Sequence, residues 1–235
     1  MRAVKLGMAS GTWQSRVLRL AILAAIVAFA VPLGGCARTT YRTHDDSAKV
    51  EEPLIGRLVT YRVERAIYTT LPECAVVLPP DGKAPAAISR LAGPALARYL
   101  GGRMPRIIGP LERRRLEKQH GLDIREGSDR RHFARLTGCK AYLRWRVVAA
   151  ENSYFLVWSR RRIGLRVALH RVGDDELLWQ AAHTGRRSDG TLPLSAFSVP
   201  FAAFDATNFK GDNDVLPSMI DDVVRRLVIT LPDLR

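Results

Sequence analysis

AYLRWRV (residues 141–147) and RIGLRVAL (residues 162–169) carry the decisive pattern. Ala141, Leu143, Trp145 and Val147 alternate with Tyr142, Arg144 and Arg146, and Ile163, Leu165, Val167 and Leu169 alternate with Arg162, Gly164, Arg166 and Ala168. A strand sends successive side chains to opposite sides, so each stretch predicts a strand with one apolar and one polar face, as in an antiparallel sheet covered on one side. Leu177 to Thr184 reads as a third strand, with Gly173-Asp174-Asp175 as the turn before it.

Working toward the amino terminus, Cys74 to Leu78 (CAVVL) is a short apolar run stopped by Pro79-Pro80, which predicts a buried strand. Residues 85–100 place Ile88, Leu91, Ala92, Ala95 and Tyr99 on one helical face, with Pro94 expected to kink or split the helix. Arg106 to Ile108 reads as a further short strand. Pro110 opens a charged helix over residues 110–120, closed by Gly121, and Ser128 is placed to cap another that carries Phe133 and Leu136. Residues 57–72 fit a strand or a helix equally. Toward the carboxyl terminus, Asp214 starts a last helix with Leu216, Ile220, Val223 and Leu227 on one face. The order predicts one mixed α/β (α+β) domain of two or three layers: a βαβ start, then antiparallel strands, then a C-terminal helix.

The front of the chain is different. Residues 1–19 are basic, residues 20–31 are apolar without charge, and Leu33-Gly34-Gly35-Cys36 follows. A basic start, a short apolar run and small residues before a cut site predict a secretory leader over residues 1–35. The run is shorter than the roughly 20 apolar residues a spanning helix needs. Leu33-Gly34-Gly35-Cys36 resembles a bacterial lipobox. That resemblance implies a diacylglyceryl thioether on Cys36, cleavage before it, and acylation of the new amino terminus. Ala37, where Asp would favour the inner membrane, implies an outer-membrane anchor facing the periplasm. Residues 36–56 then read as a lipidated polar tether and residues 57–235 as the periplasmic domain.

Of the 235 residues 37 are basic and 23 acidic, a net charge of +14. Arg2, Lys5, Arg16 and Arg19 belong to the leader, so the processed chain keeps 33 basic residues, a net +10. Such a field attracts anionic envelope components: lipid head groups, lipopolysaccharide, acidic polymers or an acidic protein. Nucleic acid is not expected as a partner in the envelope.

The segments CAVVLPP (74–80), TGCKAYLRWRV (137–147), SYFLVWSRRRIGLRVAL (153–169) and ELLWQAAHTGRRSDGTLPLS (176–195) resemble a family of bacterial lipoproteins of uncharacterised function. That family is similar in turn to the curli-secretion lipoprotein CsgG and to the TolB amino-terminal domain. The resemblance spans roughly residues 72–232. It implies a periplasmic domain in envelope assembly or transport, with an envelope protein partner and no known chemistry. A CsgG-type secretion subunit is the alternative, although no pair of long amphipathic segments for a membrane barrel is evident. The resemblance also makes the strands that begin near Cys74 and Cys139 parallel neighbours, which would bring the two thiols within bridging distance in an oxidising compartment.

Arg144 and Arg146 share one strand face, and Arg160, Arg162 and Arg166 share another. Paired strands would merge them into a basic stripe, either a solvated face balanced by acids or a surface for an anionic partner. Arg113, Arg114, Arg115, Arg130 and Arg131 add helical positive charge. Phe197, Phe201, Phe204 and Phe209 lie in an aperiodic stretch that reads as a docking loop or as rings folded into the core. The histidines show no metal-ligand spacing, and no Gly-x-Ser-x-Gly elbow or phosphate loop occurs, so no metal, cofactor or catalytic group is expected. A His183–Ser188–Asp189 hydrolase triad is the third reading.

Overall fold

The computed structural model describes residues 39–43, 57–155, 158–189 and 214–235. The leader, the lipobox and the four Phe positions 197, 201, 204 and 209 lie outside them.

Seven strands form one mixed sheet: β1 (Thr39–Thr43), β2 (Arg57–Val63), β3 (Cys74–Val77), β4 (Arg106–Ile108), β5 (Ala141–Phe155), β6 (Trp158–Arg171) and β7 (Leu177–Asp189), in the order β1-β2-β7-β6-β5-β3-β4. The β4-β3-β5 flank and the β1-β2 pair are parallel, and every other neighbour is antiparallel. The helices are α1 (Ala66–Thr69), α2 (Ala86–Leu100), α3 (Pro110–His120), α4 (Gly127–Thr137) and α5 (Val215–Val228). A mixed-sheet α/β domain with a C-terminal helix is therefore the architecture.

Strand alternation decides which face each helix covers. Ala75, Val77, Leu143, Trp145, Leu165, Val167, Leu169 and Trp179 share a core with Leu96 and Leu100 of α2 and with Ile220, Val223 and Leu227 of α5. The intervening residues Cys74, Val76, Ile108 and Tyr142 pack on the other side, against Phe133 of α4, Ile124 and Leu116 of α3. That second layer covers only the β4-β3-β5 flank. The cost of burying polar atoms is met locally: Trp145 Nε1 donates to the Leu78 carbonyl at 2.8 Å, and Trp179 Nε1 to Thr230 Oγ1 at 3.1 Å. Against α5 the sheet uses a glycine, because a Cβ at Gly185 would lie 2.7 Å from Val223 Cγ2.

Cys74 and Cys139 form a disulfide with Cα atoms 4.7 Å apart, within the ordinary bridging range. The register Ala75↔Ala141 brings the starts of β3 and β5 level. Both cysteines are buried in the smaller core.

Four stretches carry detail that the sequence leaves open or reads differently. Thr39–Thr43, within the stretch read as tether, is a strand on the sheet edge. Residues 57–72 contain both alternatives, strand Arg57–Val63 and then the single turn Ala66–Thr69. Helix α2 is one continuous run of 15 residues across Pro94; its apolar face, with Ala92, Leu96 and Leu100 fully buried, outweighs the one backbone bond proline removes. Strands β5 and β6 run well past the alternating segments, to Phe155 and back from Trp158. Among the described residues of that extension, Val148, Ala150 and Glu151 are exposed.

Candidate functional site: an arginine-bearing sheet face

Beyond the flank covered by α3 and α4, the second sheet face carries Arg144 and Arg146 from β5, Arg162, Arg166 and Ala168 from β6, Gln180 and Ala182 from β7, and Thr60 and Arg62 from β2. The register sets them side by side: Arg146↔Arg166, Arg166↔Ala182 and Ala182↔Thr60 in one row, Arg144↔Ala168, Ala168↔Gln180 and Gln180↔Arg62 in the next. Alanines at the centre leave a shallow floor, and a small depression opens there between Thr60, Arg166, Gln180 and Ala182.

Acids balance part of this charge. Arg144 Nε meets Asp81 Oδ2 at 3.1 Å, Arg162 meets Glu151 at 3.8 Å, and Arg62 pairs with Glu64. Arg146 and Arg166 are both exposed and directly opposite, and no ion pair or hydrogen bond to either side chain occurs among the described residues. Like charges at opposed positions destabilise a sheet. Two guanidinium groups held side by side can instead both donate to one carboxylate or phosphate.

At the covered end of this face, the Tyr142 ring stacks on His170 with centroids 5.4 Å apart, and the Arg130 guanidinium lies 4.5 Å from the Tyr142 centroid. His170 Nδ1 lies 3.0 Å from the Asp175 carbonyl oxygen, so this nitrogen carries the proton and donates. Burial holds the imidazole below its ordinary pKa; the Asp175 carbonyl opposes that, and the positive Arg144 and Arg130 reinforce it. The folded state therefore resists a proton that the unfolded chain takes up. Stability contributed by neutral His170 is present above the unfolded value of about 6.5 and declines as pH falls through it toward the lower folded value. His170→Phe, which keeps a ring on Tyr142, is expected to lose less stability than wild type between pH 7.5 and pH 5.5. Urea midpoints at the two pH values measure this, and equal losses would count against it.

The other anticipated residues do not converge here. Arg113 is 5% exposed and donates from Nη1 to the Val77 carbonyl at 2.9 Å, with Glu117 3.4 Å from its Nε, so it braces the end of β3 instead of meeting a partner. Arg130 donates to the Ile124 and Arg125 carbonyls as well as lying over Tyr142. Their neighbours in the sequence gave no sign of this, because the signal lies in the tertiary register of α3 and α4. Arg162 shares the open face but stands opposite Glu151 and Arg186, apart from the Arg146–Arg166 pair.

The hydrolase triad is not assembled. His183 is buried, with Nδ1 2.7 Å from the Leu58 carbonyl oxygen. Ser188 and Asp189 lie five and six positions farther along the same strand, a separation of about 17 Å or more at strand rise. Among the described residues no group of three or more His, Cys, Asp or Glu side chains could hold a metal ion. No helix among them is long and apolar enough to cross a membrane.

No family model matches the chain, and no curated protein matches it. Solved structures do. The PelC dodecamer from Paraburkholderia phytofirmans is 18% identical at TM-score 0.36, covering 66% of this chain and 87% of that one. Lipoprotein GNA1162 from Neisseria meningitidis is 17% identical at TM-score 0.39, covering 60% and 99%. The LpoB C-terminal domain from Salmonella enterica is 14% identical at TM-score 0.32, covering 52% and 86%. At these scores the matches describe a likeness of chain path and carry nothing about activity.

Proposed function

We propose that this chain is a lipid-anchored envelope protein that acts by binding and not by catalysis, held at the outer membrane and presenting its open sheet face to an anionic partner. The observation that carries the reading is Leu33-Gly34-Gly35-Cys36 directly after the uncharged apolar run of residues 20–31. A thiol is the one common side chain nucleophilic enough to form the thioether, and small residues before it fit a protease site at the membrane surface. Ala37 in place of Asp favours the outer membrane. The Cys74–Cys139 bridge accords with an oxidising compartment.

Mass spectrometry of the amino-terminal peptide from native membranes tests the anchor: a diacylglyceryl Cys36 with an acylated amine is expected, and an intact Met1 with a free thiol would refute it. The binding face has its own test. Arg146→Gln with Arg166→Gln is expected to weaken polyglutamate binding about tenfold at low salt, the equivalent of roughly one charge-assisted hydrogen bond. Because the two guanidiniums repel each other, the same variant should keep or raise the urea midpoint. Unchanged affinity would remove this face from the binding reading.

A further inference from the structure

We infer that the Arg146–Arg166 pair and the neighbouring Val148 form one site for the free carboxyl terminus of a polypeptide whose last side chain is apolar. This rests on the anionic-partner reading of the open face above and narrows it to one class of ligand.

The unpaired charge on this face is confined to one place. Arg62, Arg144 and Arg162 each meet an acid, Glu64, Asp81 and Glu151 in turn. Arg146 and Arg166 stand opposite each other on β5 and β6, both exposed, with neither an ion pair nor a hydrogen bond among the described residues. A repeating polyanion matches a run of open cations. A single opposed pair matches one anionic group, whose two oxygens each take a guanidinium. Filling the site also relieves the repulsion between the two arginines.

What lies beside the pair decides what that group belongs to. Val147 pairs with Leu165 and Ala149 with Gly164, so Val148 is the extra residue of a β-bulge. A Cβ at Gly164 would lie 2.8 Å from Val148 Cγ2, 2.8 Å from Thr184 Oγ1 and 3.1 Å from Ala149 Cβ. These groups therefore lean over the spot that glycine leaves bare, on the face that carries Arg166 two positions along β6. Val148 is 46% exposed, the one large apolar side chain that is exposed among the described side chains of β2, β5, β6 and β7. Arg146 and Val148 are two positions apart, about 7 Å along the strand. One terminal residue spans that distance with its carboxylate on the guanidiniums and its side chain on Val148. The exposed apolar surface accommodates one side chain and offers no track for an acyl chain. On the far side of Arg166 the depression between Thr60, Gln180 and Ala182 supplies amide and hydroxyl groups for the preceding peptide units.

The test uses the full chain purified in non-ionic detergent and the peptide Gly-Ser-Gly-Ser-Leu with a neutral fluorophore on its amino end, read by fluorescence polarisation at pH 7, where the terminal carboxylate is ionised. Expected is saturable binding that falls about tenfold when the terminal carboxylate is replaced by an amide, and about fivefold when the last leucine is replaced by glycine. Both comparisons use the wild type, so they need no variant to fold. Arg146→Gln with Arg166→Gln should erase the preference for acid over amide, and Val148→Ser should shrink the preference for leucine over glycine. Equal binding of acid and amide by the wild type overturns the inference, and the anionic-partner reading survives it where polyglutamate still depends on the arginine pair. An acid preference that persists in the double arginine variant places the carboxylate elsewhere and overturns it as well. Binding of lysophosphatidylglycerol that depends on the pair, with no binding of the peptide, assigns the face to a lipid head group instead. Where neither the peptide nor polyglutamate depends on the pair, both readings fall.

Discussion

Cys36→Ser is expected to abolish incorporation of labelled palmitate and to shift the chain from the membrane to the soluble fraction after osmotic lysis. The chemistry is specific to sulfur at that position, since a serine hydroxyl does not replace a thiolate in thioether formation. Each buried CH₂ contributes about 0.8 kcal/mol to membrane partition, and one chain gives only marginal, reversible binding while two or more anchor stably. Losing every acyl chain removes nearly the whole anchoring free energy at once. The net positive charge of the processed chain leaves a residue of electrostatic attraction, so the released protein should rebind washed membranes at low ionic strength and come off at high salt, where screening shortens the reach of surface charge to about 3 Å at 1 M. An acylated wild type resists that salt wash. Labelling that persists in Cys36→Ser would overturn the lipobox reading outright.

Parts of this architecture are legible because the signal is local. Ala141, Leu143, Trp145 and Val147 fall on one side of β5 and into the main core, as their spacing predicts. Gly121 and Gly138 close α3 and α4 with positive φ, where a side chain would be strained. What is not legible depends on partners distant in sequence. Thr39–Thr43 (TTYRT) is polar and short, and becomes a strand only because the edge of β2 offers it unpaired backbone groups. Nothing in the run of three arginines 113–115 distinguishes the buried Arg113 from its neighbours; only the Val77 carbonyl across the smaller core does that. The open arginine face is intermediate. Alternation places Arg144, Arg146 and Arg166 on one side, but which of them an acid neutralises is decided by Asp81, whose loop position no periodicity predicts.

The second large effect concerns the disulfide. Cys74→Ala with Cys139→Ala is expected to lower stability by roughly 4 kcal/mol, the chain-entropy value for closing an interval of this length; the interval here is 65 residues. Removing both cysteines avoids leaving one buried thiol to exchange or oxidise. The loss should also be uneven across the sheet. β3 joins β5 through only three register pairs, Ala75↔Ala141, Val76↔Tyr142 and Val77↔Leu143, and β4 joins β3 through three more. By contrast β5 and β6 are paired along nearly their whole length. The bridge ties this weakly laddered flank, with α3 and α4 packed on it, to the long hairpin. Without it, amide exchange should accelerate first at Cys74→Ala, Val76, Val77, Ile107 and Ile108, and only later at Leu143, Leu165 and Val167. Reducing the wild type under native conditions should reproduce the same order. Should the double variant match the wild type in urea midpoint, the bridge would be a passenger on a flank that packing alone secures, with Phe133, Ile124 and Ile108 supplying the cohesion.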